Sequence, residues 1–245
     1  MATAEGLSKT TQINGMRYYD VGLDQLFPSV TTILGKMTDQ SGLDHWRNKI
    51  GKDKANKITK FSANRGTIMH QMIEYFLLSN KKNKSDRLKE SQLKILEFVK
   101  VEGYTEEELN IGRKLFYNFY NANSFDQISK IVEIEKTLHS TRGGGYAGRV
   151  DTIYEKNDGR LIISDYKSSR KPKQLNWIEN YFIQTSAYFI AYWEMTGIKP
   201  ADCEIWISNE QNDTPQIFHM GLPAIKVYSA KFLNMVKGFH NKYKH

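Results

Sequence analysis

The chain carries a single cysteine, Cys203, in 245 residues. That excludes an internal disulfide and any four-cysteine zinc or iron–sulfur site. A reducing, intracellular setting is the simpler expectation. No apolar run reaches the roughly 18–20 residues that a membrane span needs, so no membrane role is expected. The opening MATAEGLSKTTQ has no hydrophobic core for secretion and no arginine of the transit-peptide kind. The expectation is a cytoplasmic protein of a bacterial or phage-infected cell. There is no internal repeat and no low-complexity linker. The length fits one large domain or two small ones, and without a linker one domain is expected, acting as a monomer.

What the chain has in excess is positive charge. Lys and Arg outnumber Asp and Glu 35 to 27, with a pI near 9.3. Such a balance favours a polyanionic partner without identifying it. A basic membrane-surface protein could share it, but no segment pairs a strong apolar stripe with a basic opposite face.

Hydrophobic periodicity predicts a loose tail over 1–12, a short strand over 16–21 and a helix from Thr31 to about Met37, capped by Ser29. Residues 43–60 carry Lys49, Lys52, Lys54, Lys57 and Lys60 around a sparse apolar stripe. They read either as a solvated helical face or as a phosphate-tracking surface. Further helices are expected over 66–79, 91–101 and 105–121, the last opening on Thr105 and Glu108 at capping-box spacing. A charged, apolar-poor stretch from Asn80 to Glu90 separates the first two. Then come a strand near 129–138, a hairpin, a helix from about Leu175 to Met195, strands near 203–208 and 215–219, and a helix over 224–242. Helices around a central mixed sheet make an α/β domain. Residues 40–125 form its helical region and 126–245 its sheet-based core.

The hairpin carries the chemistry. Two runs rich in Val, Ile, Tyr and Thr, 148–155 and 160–167, flank Asn157-Asp158-Gly159, a strong turn signal. With a three-residue loop and Gly159 in the left-handed position, Lys156 pairs with Arg160. Asp151 then faces Asp165, and Arg149 faces Lys167. Opposed Cβ atoms sit roughly 4.5–5.5 Å apart, close enough for two carboxylates to share an ion with oxygen ligands at about 2.0–2.1 Å. A two-residue loop would shift the register by one and send the carboxylates to opposite faces. Apolar residues on both faces of the two strands suit a central, doubly covered position, where like charges repel unless a cation neutralises them.

Three features surround this pair. His70 sits at the margin of an apolar helical stripe, as a semi-buried core histidine or as a metal ligand. The small residues Gly66 and Thr67, one turn earlier, would let a helix start lie close to a sheet. Gln184 and Tyr188, four apart, share a ridge with Trp177, Tyr181 and Tyr192. The Gln184 amide bonds either to backbone or to the carboxylates. The tract Ser168-Ser169-Arg170-Lys171-Pro172-Lys173 places hydroxyls and cations beside the acidic pair, where they could grip phosphates. The aromatics Tyr104, Phe116, Tyr117, Phe119 and Tyr120 read mainly as core, with base stacking the alternative.

Together, GTIMH (66–70), GRVD (148–151), DYK (165–167) and QTSAY (184–188) resemble, in order, the motifs of the PD-(D/E)XK nuclease superfamily, in its RecB-like exonuclease branch. FPSVTTIL (27–34), the Arg65-Gly66-x-x-x-His70 helix start and DYKSSRKPK extend the resemblance to mitochondrial genome maintenance exonucleases and their phage and bacterial relatives. The resemblance implies a restriction-endonuclease-like core and a metal-dependent nuclease using Mg²⁺ or Mn²⁺. Its substrate would be single-stranded DNA ends or flaps, threaded under a helical arch within 40–125, in replication, repair or recombination, with 5′-phosphate products. It also implies that Asp151 and Asp165 are catalytic metal ligands and Lys167 the catalytic lysine. His70 and the Tyr166 carbonyl become further ligands, and Gln184, Tyr188 and Glu135 supporting residues. Arg65, Arg149, Ser168, Ser169, Arg170, Lys171 and Lys173 are the expected DNA contacts. Ser168 replaces the usual threonine after the lysine and keeps the hydroxyl, and the absent leader leaves the organelle unsupported. The alternatives are a structure-selective or duplex endonuclease of the same fold, or a non-catalytic DNA-binding protein.

Overall fold

The computed structural model describes residues 9–22 and 25–243. Two sheets are present among them. A small antiparallel sheet joins β1 (Thr10–Ile13), β2 (Met16–Asp20) and β3 (Leu26–Pro28). Asn14 and Gly15, both at positive φ, turn β1 into β2 with Ile13 opposite Met16. Asn-Gly is the strongest two-residue hairpin signal, so residues 10–12 belong to a strand where the sequence pattern suggested tail. Residues 1–8 of that expected tail lie outside the described residues.

The large sheet has the order β4 (Ile128–Ser140), β5 (Tyr146–Lys156), β6 (Leu161–Ser169), β7 (Asp202–Asn209) and β8 (Gln216–Met220). Its pairs are antiparallel except β6 with β7, whose crossover is α6 (Glu179–Thr196). The central sheet is therefore mixed and helix-flanked, as expected. On one face, α1 (Val30–Met37), α6 and α7 (Leu222–Lys242) enclose a core including Ile33, Ile163, Ile205, Tyr188 and Phe232. On the other, α3 (Lys52–Leu78), α4 (Lys84–Glu102) and α5 (Glu106–Tyr120) enclose Met72, Phe76, Phe116, Tyr166 and Trp206.

Several boundaries differ from the periodicity reading. Residues 43–60 do not form one helix: Gly51 at φ 86° ends α2 (Ser41–Ile50) and opens α3. That helix then runs unbroken to Leu78, so Arg65 and Gly66 stand mid-helix rather than at a helix start. Helix α4 begins at Lys84, capped by Asn83 accepting from the Asp86 N–H, inside the stretch expected to interrupt. The cap overrides low local hydrophobicity. Helix α5 carries the full Thr105–Glu108 capping box. Phe116 and Phe119 are fully buried and pack on Phe76, Phe125 and Tyr166, so these two rings are core and not base platforms.

Candidate metal centre

The β5–β6 hairpin has the three-residue loop. The Lys156 N–H donates to the Arg160 carbonyl at 2.9 Å, the Gly159 N–H donates back to Lys156, and Gly159 takes φ 82°. The ladder runs from Glu155↔Leu161 to Thr152↔Ser164. There the strands part, so the expected Asp151–Asp165 and Arg149–Lys167 pairs are not rungs of the ladder, and Arg149 pairs with Glu135 instead. The Asp151 carboxylate accepts the Tyr166 N–H at 2.6 Å, so a side chain replaces the next rung and a cleft opens between the strand ends.

Side-chain alternation also changes at this point. Val150 and Ile153 pack in the same core, and Ile134 and Leu138 pack in opposite cores. A regular strand would do neither. Each strand breaks its alternation once, and the break on β4 contains Glu135, a non-glycine residue at φ 50°. That left-handed conformation costs on the order of 1–3 kcal/mol and concentrates at functional sites. Here it delivers a third carboxylate beside Asp151.

Helix α3 brings the imidazole. A Cβ added at Gly66 would lie 3.0 Å from the Ser168 hydroxyl, so the glycine lets α3 approach the end of β6 closely. One turn later His70 Nδ1 comes within 3.6 Å of Asp151 Oδ1. His70, Glu135 and Asp151 each offer a ligand atom, all within 4.8 Å of one another. Helix α6 closes the other side. The Gln184 amide donates to Asp165 Oδ1 at 3.1 Å and to the Tyr188 hydroxyl at 3.0 Å. Its open alternatives thus resolve to the carboxylate. Gly148 permits this packing, because a Cβ there would sit 2.8 Å from the Tyr188 ring and 3.1 Å from Val30.

Lys167 is ion-paired with Asp165 and lies over the Tyr181 ring at 5.4 Å. Both Asp165 oxygens are therefore engaged, and the carboxylate is 1% exposed beneath the cleft. Asp165 is accordingly outside the three-donor group. The cleft encloses about 460 Å³ and is lined by His70, Glu135, Arg149, Asp151, Tyr166, Lys167, Ser168, Gln184 and Tyr188 among others.

The charges are held under tension. Burial, then the Asp151 charge, pushes the Glu135 carboxyl up to about 8 despite Arg149 Nε at 2.7 Å. Burial pushes Asp165 up to about 6, against the pull of Lys167, and raises Asp151 as well. Burial and Lys167 hold His70 down near 4, so its imidazole is neutral at pH 7 and its lone pair is free to bind a cation. For Lys167, burial acts downward, but Asp165 and Asp151 outweigh it and the ammonium is reinforced. The Asp151 charge raises both Glu135 and Asp165, and clustered carboxylates with a neutral imidazole form a donor set suited to Mn²⁺ or Mg²⁺.

The expected DNA contacts divide. Arg149 and Ser168 line the cleft; Arg65, Ser169, Arg170, Lys171 and Lys173 do not. Arg65 is 3% exposed and ion-paired with Glu210, which ties α3 to the β7–β8 loop and leaves no open guanidinium for a phosphate. Ser169 is buried and donates to the Lys171 carbonyl. The Lys173 backbone exchanges two hydrogen bonds with the Gln216 amide, while Arg170 and Lys171 are exposed. The sequence reading missed Glu74 and Arg17, both of which line the cleft. Glu74 follows His70 by four residues on one helix face, a legible signal. Arg17 had none.

The carboxylates and the neutral imidazole, where central strands of a helix-flanked mixed sheet diverge, offer the donors that a divalent cation takes. Residues 41–237 match the family model of the PD-(D/E)XK nuclease superfamily, and the chain belongs to that superfamily. Its members are nucleases that use divalent ions, usually Mg²⁺ or Mn²⁺. No curated protein matches the chain. Among solved structures, the crystal structure of SSO0001 is similar over 77% of this chain and 87% of its own, at 17% identity and a TM-score of 0.38. No helix among the described residues is long and apolar enough to cross a membrane.

Proposed function

We propose that this nuclease is a monomeric DNA exonuclease acting on single-stranded ends or flaps, leaving 5′-phosphates, in replication, repair or recombination. The observation that carries the reading is the cleft in which Asp151, Glu135 and neutral His70 lie beside the Asp165–Lys167 pair. His70, Glu135 and Asp151 would hold the divalent ion, above an Asp165 anchored by Gln184 and Lys167. When bound, such an ion supplies Lewis acidity at a phosphoryl oxygen and lowers the pKa of a coordinated water.

The residues of the chain do the positioning. The Tyr166 N–H fixes one Asp151 oxygen, so the other faces His70. Gln184 anchors Asp165 from α6. Lys167, held charged by Asp165, orients the attacking water or offsets charge developing on the phosphorane. Single-strand preference is supported by the motif resemblance, and a polyanionic substrate by the exposed Lys49, Lys52, Lys54, Lys57 and Lys60 on α2 and α3.

The test is digestion of labelled single-stranded and duplex DNA with each end free or blocked, in Mg²⁺, Mn²⁺ or EDTA. Stepwise shortening of single strands from one free end is expected. Cleavage of end-blocked or fully duplex DNA at equal rate would replace the reading with a structure-selective or duplex endonuclease. Binding without cleavage in either metal would leave a DNA-binding scaffold.

A further inference from the structure

The small sheet and α1 precede the family-matched residues 41–237, yet they form one wall of the cleft. Ser29 bridges to Ala147 on β5, two residues from Arg149, and Val30 packs against Gly148. This docking sets Arg17 of β2 on the cleft wall. Its guanidinium donates to the Thr31 hydroxyl at 2.9 Å and lies 5.7 Å from the centre of the Tyr19 ring.

The cleft's other cations are already matched: Arg149 by Glu135 and Lys167 by Asp165. Among the described residues Arg17 has no carboxylate partner. Its acceptor is a neutral hydroxyl, which fixes the side chain without spending its charge. At the N-terminus of α1, Ser29 accepts the Thr32 N–H at 3.0 Å.

We infer that Arg17, braced by Thr31 and Tyr19, binds a backbone or terminal phosphate of the nucleic-acid strand flanking the scissile bond. It thereby acts as a positioning residue that sets where the strand is cut. A planar guanidinium suits bidentate phosphate recognition. In a cleft where Arg149 and Lys167 are matched by carboxylates, a strand needs such a counter-charge away from the metal ligands. The inference rests on the nuclease reading above and adds a contact outside the matched family region.

The test compares wild type with Arg17→Gln and Arg17→Lys on single-stranded oligonucleotides. The ends carry 5′-phosphate or 5′-hydroxyl, and a neutral methylphosphonate is walked through the linkages near the cut. Binding is followed by fluorescence anisotropy in EDTA, and cleavage with metal. For Arg17→Gln, KM should rise about tenfold with kcat within about twofold. The slope of log affinity against log salt should become shallower by about 0.7, the single-strand value for one phosphate. Arg17→Lys should recover part of the affinity. One neutral linkage should weaken wild type and leave Arg17→Gln no weaker, which identifies an internal phosphate. If removal of the 5′-phosphate alone does this, the terminal phosphate is the ligand. An unchanged salt slope with additive losses at every linkage and at the end would overturn Arg17's role while wild-type cleavage upheld the nuclease. A wild type that cleaves no DNA in either metal would overturn both.

Discussion

Glu135 sets folding against metal binding, because its burial beside Asp151 costs stability while it offers a cation a ligand. Its carboxyl is pushed from 4.5 to about 8 by burial and by Asp151. In the unfolded chain it ionises near its ordinary value, so between pH 4.5 and 8 the folded state holds a proton that the unfolded state has released. Stability therefore falls as pH rises through that window, and the loss is complete above the folded value. The shift of 3.5 (8 minus 4.5) corresponds to a ceiling of about 5 kcal/mol at about 1.36 kcal/mol per unit. The carboxyl is 18% exposed and paired with Arg149 at 2.7 Å, and relaxation around it brings the expected cost to about 2 kcal/mol. Glu135→Gln never ionises and keeps a hydrogen-bond acceptor for Arg149. In EDTA at pH 8.5 it should melt roughly 4–8 °C above wild type, at about 2–4 °C per kcal/mol for a chain of this size. At pH 4.5 the two should coincide. With Mn²⁺ at about a hundred times its Kd, wild type should gain about 2.7 kcal/mol and Glu135→Gln markedly less. Differential scanning calorimetry at the two pH values, with and without metal, measures all four differences. A Glu135→Gln protein no more stable than wild type in EDTA at pH 8.5 would refute the claim that unneutralised carboxylates are held together here.

Other consequences are equally open to measurement. Because burial and Asp151 push the Glu135 carboxyl up to about 8, Mn²⁺ affinity should climb between pH 5.5 and 8.5 with proton release; calorimetry in buffers of different ionisation heat reads both, and a pH-independent affinity would count against this donor set. Asp165→Ala and Lys167→Ala should each abolish cleavage while leaving DNA binding in EDTA largely intact; near-normal cleavage by either folded variant would remove it from the chemistry. Gly148→Ala should cost about 1–3 kcal/mol through its clash with Tyr188 and Val30. By contrast Gly35→Ala, on an α1 face with nothing within 4 Å, should be neutral or stabilising by up to about 1 kcal/mol in urea denaturation.

What the sequence determined by itself is the local geometry of the hairpin. Asn157-Asp158-Gly159 marks the turn, and the three-residue loop sets the register from Glu155↔Leu161 to Thr152↔Ser164, which brings Asp151 and Asp165 to the end of the ladder. These are short-range terms, settled by φ preferences and strand alternation within twenty residues. The Thr105 capping box was legible for the same reason, while the Asn14-Gly15 turn was legible and overlooked. Tertiary structure alone decided the rest. Glu135 comes beside Asp151 and His70 because its backbone goes left-handed where β4 meets the parting of β5 and β6, and nothing in the residues around a glutamate announces that conformation. Arg65 looked like a phosphate contact until the fold supplied Glu210 as its partner. Arg17 reaches the cleft because Ser29 bridges to Ala147, across more than a hundred residues of chain. Such meetings depend on packing that no local propensity encodes.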